Sequence, residues 1–522
     1  DKGRILDRNR FVMTNTIDLY ANYNRKIGED FELGAMVGHS FLKTRSRTSY
    51  IDAQNYPSPA FDVASVAANI VDASAGLSEY AIESYFARLS LAYKDRYVVN
   101  ATIRTDGSSR FAPDCRWGWF PSVSVGWNVS NESFWNAEKT DLKIRASYGR
   151  TGNQDGISNY GWQALISGGV NYGGQSGIAI SSSGNDRLTW ETADQYNAGF
   201  DLSFLGGKIN MIADVYLKNT NNLLYSKPVH ATTGETSILS NIGSMRNKGV
   251  EFTINTHLNL GKVLWSSSFN IARNVNKLTS LLEDDLLSIG ANRALKLGRT
   301  VGSWYIFRTD GIYQYDGEVP QALYDKGVRA GDVKYWDRNG DGNITDDDRI
   351  VTGNPNPKFS GGWNNTFKYK GLELSLFFTY SYGNDVYASW MIPGSKPGHT
   401  RSLLKAYADN RWTGPGTSDK YPRASYSYSG WNGKNSTMYL TDGSFIRLRS
   451  VTLGYTFPQR LVSKIHLKGL RVYAQGDNVF LCSRYPGWDP ETSVNLDPRF
   501  YGEDNDGVPQ PRIFKLGVNI TF

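Results

Sequence analysis

Cysteine and histidine are scarce in this chain, and no long apolar run occurs. Cys115 and Cys482 are the two cysteines among 522 residues; they stand far apart in different predicted loops, which excludes a disulfide framework or a CxxC site and leaves free thiols. His39, His230, His257, His399 and His466 are scattered without ligand spacing, so neither a zinc centre nor a catalytic histidine is expected. No window approaches the roughly 18 apolar residues that a membrane-spanning helix needs. Leu/Ala-rich helical stretches are missing as well. The formal charge of +7 permits an anionic partner, but no Lys/Arg cluster or basic helix is read along the chain, and nucleic acid is not expected. The sequence begins at Asp1 with no initiator Met and no signal-peptide pattern, as a processed or partial chain would.

Glycine (53), tyrosine (32), phenylalanine (23) and tryptophan (14) are abundant and spread along the whole length. Mean hydropathy is negative, yet a transmembrane barrel also averages out as polar, because lipid-facing and lumen-facing residues alternate along each strand. Such alternation recurs here in segments of about ten residues. Ile209, Met211, Ala213, Val215 and Leu217 alternate with Asn210, Asp214 and Tyr216. Val250, Phe252, Ile254 and Leu258 alternate with Glu251, Thr253, Asn255, His257 and Asn259.

The pattern predicts about fifteen strands, near 11–23, 31–43, 81–93, 96–106, 119–130, 141–152, 190–204, 208–220, 248–259, 263–274, 359–370, 371–384, 444–456, 468–480 and 511–522. Short turns such as Lys94-Asp95, Leu205 to Lys208 and Leu260 to Val263 alternate with long loops, roughly 44–80, 153–188, 274–358 and 385–443. Outer-membrane barrels have short periplasmic turns and long extracellular loops. A soluble sandwich has no reason to gather every long loop at one end. The expected fold is therefore all-β, a transmembrane antiparallel barrel occupying residues 1–522. Bacterial barrels close with an even number of strands, so an odd count needs strands supplied from elsewhere.

Two motifs carry more specific information. Phe514, Leu516, Val518, Ile520 and Phe522 alternate with Lys515, Gly517, Asn519 and Thr521. Lys515, Gly517, Ile520 and the terminal Phe522 resemble the signal by which bacterial assembly machinery recognises a barrel's last strand. The second motif, Asp337 to Asp348 (DRNGDGNITDDD), fits the calcium loop D-x-[DN]-x-[DN]-G. Asp337, Asn339 and Asp341 fill ligand positions 1, 3 and 5, and Gly342 makes the sharp turn. Asn343 would offer its backbone carbonyl, Thr345 would act through water, and Asp348 occupies the last position, where an EF-hand carries Glu. No flanking helices are expected, and an acidic solvated turn is the alternative.

Several segments together resemble the SusC/RagA-type TonB-dependent transporters of Bacteroidota: Phe120 to Trp135, Leu142 to Gln154, Asn241 to Phe252, Gly331 to Arg349 and Gly353 to Phe367. The resemblance implies a 22-stranded plugged barrel, of which this chain holds the C-terminal fifteen or so strands. No TonB-interaction segment or plug is found in the sequence, so the remaining N-terminal barrel and plug count among the implied partners. The implied function is active, TonB-coupled import of an oligosaccharide or oligopeptide across the outer membrane, together with a SusD-like surface lipoprotein. Such a protein needs a binding site and no catalytic one. Trp162, Trp336, Trp390, Trp431 and Trp488 are the candidate ligand-stacking residues, among other loop aromatics (Tyr172, Trp304, Tyr305 and Trp412) that serve as well for packing or interface girdles. Two other readings stay open: a passive porin or adhesin barrel, and an extracellular carbohydrate-active β protein. The last needs paired carboxylates at a cleft, whereas acidic residues concentrate in the calcium-type loop and at Glu283, Asp284 and Asp285.

Overall fold

The computed structural model describes residues 3–522 apart from 136–139, 231, 233–234, 236, 282–285, 395–401 and 426–429. Glu283, Asp284 and Asp285 therefore lie outside the described residues. Fifteen strands form one sheet in which each strand pairs with the next: β1 (Arg4–Ile27), β2 (Phe31–Gln54), β3 (Asn69–Tyr93), β4 (Tyr97–Ser108), β5 (Trp117–Asn128), β6 (Thr140–Asn153), β7 (Glu191–Phe204), β8 (Ile209–Asn221), β9 (Gly243–Leu260), β10 (Val263–Leu281), β11 (Phe359–Tyr369), β12 (Leu372–Tyr382), β13 (Phe445–Thr456), β14 (Gly469–Ser483) and β15 (Ile513–Thr521). Within this sheet, every strand pair whose register is described is antiparallel. Among the described residues no helix is long and apolar enough to cross a membrane.

Each strand expected from the sequence is present, but the first three run further than predicted. β2 continues to Gln54 and β3 begins at Asn69, so the long loop expected over 44–80 shrinks to residues 55–68. The 274–358 loop likewise starts later, because β10 runs to Leu281. Cys482 lies on β14, not in a loop; both cysteines are free. Tight turns occupy the other end of the sheet. Lys94 and Asp95, at φ of 49° and 51°, are left-handed, as a twisted two-strand connection demands.

The chain divides into two compact units, one comprising Asp1–Trp135, Lys143–Ala198 and Lys218–Ser244, the other Asn136–Leu142, Gly199–Leu217 and Met245–Phe522. In the first unit the register sorts side chains onto two faces. One face carries Leu89, Leu91, Val99, Ile103, Val123 and Val125; the other carries Ser90, Asn100, Thr102, Arg104, Ser122 and Ser124. The apolar face is bounded by two aromatic rows. At the tight-turn end Phe31, Tyr93, Tyr97 and Trp127 lie side by side on four neighbouring strands, with ring centroids 4.5, 6.4 and 6.3 Å apart. At the loop end Tyr85 packs on His39 at 4.8 Å and Trp117 at 6.1 Å. From Trp127 to Trp117 the strand covers about 33 Å at ~3.3 Å per residue, which a tilt of roughly 40° reduces to about 25 Å, the height of a barrel's lipid-facing band. Alternation, band height and paired girdles together make this a membrane-facing surface.

The second unit repeats the alternation in its sheet. Leu374, Leu376, Leu453, Val451, Ala474, Leu516 and Val518 share one face, and Glu373, Arg471, Gln475 and Lys515 the other. Charged residues on the polar face pair across strands: Glu373 binds Arg471 at 2.9 Å, and Asp477 binds Lys515 at 2.6 Å.

Candidate functional site

The long loops of the second unit fold into a packed body. Short strands staple them together, which the sequence pattern does not reveal. Residues 304–307 pair with 349–352 within one loop, and 385–388 pair with 440–442 of their own loop and with 503–504 of another. Two apolar clusters fill the body. One is built on Phe307, Tyr313, Leu323, Val333 and Tyr335; the other on Trp304, Ile306, Val386, Tyr387 and Tyr439.

Buried charge fixes how the loops meet. Asp332, almost wholly buried, accepts hydrogen bonds from Arg423 Nε (2.9 Å), Arg423 Nη2 (3.1 Å), Asn432 Nδ2 (2.9 Å) and the Arg329 N–H (2.9 Å). The bond from Arg423 to that carboxylate raises the arginine's pKa and keeps it charged. Arg293 is fully buried, its guanidinium 4.1 Å from the Trp304 ring, and it donates to the carbonyls of Gly302, Phe500 (3.2 Å) and Tyr501 (3.0 Å). Burial pushes its pKa down to about 10, with Glu503 opposing the shift, so it remains a cation at neutral pH. Arg447 on β13 and Asp489 form a buried ion pair at 2.6 Å. Glu491 lies 2.8 Å from Arg447, off the hydrogen-bond axis, and also binds Arg449 at 2.9 Å. Spacing in the sequence signals none of these partners, which are separated by up to 208 residues.

The calcium-type loop lies in this body between two short strands, 333–335 and 349–352, with no flanking helices. Asp337 accepts from the N–H groups of Gly340 (2.7 Å) and Gly342 (2.8 Å), which curls the chain around its carboxylate. Gly342 sits at φ +77°, a conformation that L side chains rarely adopt. Asn339 Nδ2 donates to Asp341 (3.0 Å), which accepts from the Asn343 N–H (2.7 Å). Asp348 is fully buried and accepts from the N–H groups of Arg338 (2.9 Å) and Thr345 (2.7 Å). Thr345 and Asp348 also form a reciprocal cap on the short turn Asp346–Asp348. Asn343 receives a bond from Lys326 at 2.8 Å. Among the described residues no three His, Cys, Asp or Glu side chains converge into a metal-holding group.

The candidate stacking residues divide by environment. Trp390 packs on the second cluster and donates to Tyr485 Oη at 3.0 Å. Trp431 packs edge-on against Tyr335 in the first cluster and donates to the Val333 carbonyl at 2.8 Å. Trp162, in the other unit, donates to the Ser109 carbonyl at 3.3 Å. Trp336 is more open, with Arg308 5.2 Å from its ring, and Trp488 is 81 % exposed. Of the other loop aromatics, Trp304 is fully buried and Tyr172 is 91 % exposed. At the C-terminus Gly517 lies beneath the Tyr473 ring, Lys515 pairs with Asp477, and Ile520 and Phe522 are exposed.

Strands of alternating faces, paired girdles in the first unit and structured loops in the second accompany a match to a known family over much of the chain. The family model for the β-barrel of TonB-dependent receptors matches residues 3–344. This chain belongs to that family. TonB-dependent receptors are outer-membrane barrels that act as transporters and not as enzymes. TonB-dependent receptor P3 of Formosa agariphila is 30% identical over 98% of this chain and 52% of its own length. TonB-dependent receptor SusC of Bacteroides thetaiotaomicron is 29% identical over 99% of this chain and 51% of its own. The chain thus spans about half the length of the curated relatives it matches. A solved structure of the RagAB peptide transporter superposes with a TM-score of 0.86 at 22% identity, covering 99% of this chain and 56% of that one. The likeness extends the barrel fold to the strands beyond residue 344 and bears out the SusC/RagA resemblance.

Proposed function

We propose that this TonB-dependent receptor imports an oligopeptide or oligosaccharide across the outer membrane of a Gram-negative cell, with a SusD-like lipoprotein as lid and the TonB complex as energy source. The observation that carries the reading is the match to SusC over nearly the whole chain. Packed loops support it, because a lid needs a firm rim and these loops are pinned by Asp332, Arg293 and Arg447. Trp336 and Trp488, the more open of the candidate aromatics, are the stacking residues this reading favours. Uptake of labelled oligosaccharides and oligopeptides by wild-type and deletion cells tests the proposal. One class should accumulate in the wild type, vanish in the deletion strain and vanish again when a protonophore collapses the inner-membrane gradient. Uptake indifferent to the protonophore would point to a passive porin.

The loop Asp337 to Asp348 is the proposed structural calcium site, held by Asp337, Asn339, Asp341, the Asn343 carbonyl, a water on Thr345 and Asp348. Its own hydrogen bonds already impose the wrap, which lowers the ordering cost of binding. Since the carboxylates do not cluster, amide and carbonyl oxygens must supply much of the shell. An affinity of about 10⁻⁴–10⁻³ M is expected, the range of extracellular modules. Calorimetry of the full-length protein should show binding that Asp337→Ala abolishes while barrel insertion persists. Equal heats for both proteins would remove the site.

A further inference from the structure

Beyond the girdle at the loop end of the first unit, the outward row of β2 changes character, while Met13, Phe11 and Leu77 beside it on β1 and β3 stay apolar. The register carries the lipid-facing row of β2 upward without a break: Val37 opposite Ala87, His39 opposite Tyr85, Phe41 opposite Glu83, then Lys43 opposite Ala81, Arg45 opposite Glu79 and Arg47 opposite Leu77. Alternate residues of a strand stand about 7 Å apart. Three cations thus form a ladder on the same face as the apolar band, just past its aromatic edge. On the reading that this barrel spans the outer membrane with its long loops outside, which the inference rests on, the ladder lies at the depth of the outer-leaflet headgroups.

Its charge is incompletely compensated. Glu79 is 3.2 Å from Arg45 and 3.6 Å from Lys43, and both cations remain about half exposed. The Arg47 side chain makes no hydrogen bond or ion pair among the described residues. Glu83, one row below, is engaged by Tyr85 (2.8 Å) and His39 (3.3 Å). Asp7, two rows further out on β1, accepts from Asn9. Three cations therefore face one nearby carboxylate at a boundary where desolvation strengthens charge-assisted bonds. A soluble polyanion would not select this place, since the cations continue the lipid-facing row.

We propose that Lys43, Arg45 and Arg47 bind the phosphate of an outer-leaflet lipid headgroup, whose acyl chains run down the apolar band past Phe41 and Val37. The lipid is bound by two adjoining surfaces, a basic one for the headgroup and an apolar one for the chains. Free inorganic phosphate would gain the first contact alone.

The test uses full-length protein extracted from the outer membrane and placed in phosphatidylcholine nanodiscs doped with phosphorylated or dephosphorylated lipid A, with bound lipid counted by native mass spectrometry. Phosphorylated lipid A should bind about tenfold more tightly than the dephosphorylated form, on the scale of electrostatic gains per basic residue at an anionic surface. Lys43→Gln/Arg45→Gln/Arg47→Gln should erase that preference, and inorganic phosphate at about 10 mM should not displace the lipid. Arg25→Gln, on the same face at the tight-turn end, should leave the preference unchanged. Arg47→Gln alone, which breaks no bond, should lower it about threefold and serves if the triple variant fails to insert. Equal binding of the two lipids, an unaltered preference in Arg47→Gln, or displacement by inorganic phosphate would overturn the proposal. Wild-type protein absent from the outer-membrane fraction would overturn the outer-membrane reading itself.

Discussion

Arg447→Ala is expected to loosen the 484–512 loop by about 3–5 kcal/mol, the cost of leaving a buried charge without its partner. Arg447 and Asp489 are each about 97 % or more buried as side chains and lie 2.6 Å apart, so removing the guanidinium strands a carboxylate that water cannot reach. Glu491 keeps Arg449 and is spared. Hydrogen exchange over residues 484–512 should accelerate by two orders of magnitude or more, on the scale of about 1.4 kcal/mol per factor of ten, while exchange in β11 and β12 stays unchanged. Arg447→Met with Asp489→Leu removes both charges and should recover most of the protection, because desolvation of the pair offsets much of its attraction. Equal exchange in wild type and Arg447→Ala would show that the pair does not hold the loop.

On the proposed import function, the effect bears on transport because β13, which carries Arg447, continues from a loop that is stapled to the 503–504 strand. A lid docking on these loops, as proposed, would meet a surface whose stiffness depends on a few buried ions. Loosening the 484–512 loop should therefore weaken uptake before it disturbs the barrel, whose strands hold together by their own ladders.

The sheet was legible in the sequence because its information is local. Alternation with period two marks each strand, and turn residues such as Gly206 and Gly261 mark the ends. Where the reading stopped short, a physical change explains it. Past Phe41 the outward side chains of β2 become Lys43, Arg45 and Arg47, so the apolar signal ends while the hydrogen-bonded ladder runs on to Gln54. For the same reason the three residues did not register as a basic cluster, since Thr44 and Ser46 separate them in sequence while the pleat unites them on one face. The loop body was less legible. Trp304 opposes Thr352, and Arg293 meets Phe500 and Tyr501; such pairs leave no periodic trace. Asp332 lies within the family-like segment Gly331 to Arg349, but its partners Arg423 and Asn432 come from another loop. Aromatic residue type alone did not separate Trp390 and Trp431, which pack and donate inside the body, from Trp488, which stands free in solvent.

Gly517→Val should impair the last strand by a different route from deletion of Phe522. A Cβ on Gly517 would stand 2.3 Å from Cζ of Tyr473, so valine must drive the phenol ring off the strand surface. Overpacking of this kind costs about 1–3 kcal/mol, and it falls on the pairing of β14 with β15. Thermal unfolding of the purified protein should shift downward, and Tyr473→Ala in the same chain should restore part of the loss by removing the obstacle. Phe522 is 79 % exposed and follows the last paired residue, Thr521, so its deletion removes little packing. If it acts with Lys515, Gly517 and Ile520 as the assembly signal, deletion should cut the amount reaching the outer membrane several-fold while the inserted fraction unfolds at the wild-type temperature. Yield and melting temperature thus separate recognition from packing. A Phe522 deletion with wild-type yield would dismiss the signal, and a Gly517→Val protein with wild-type melting would show that Tyr473 has another place to lie.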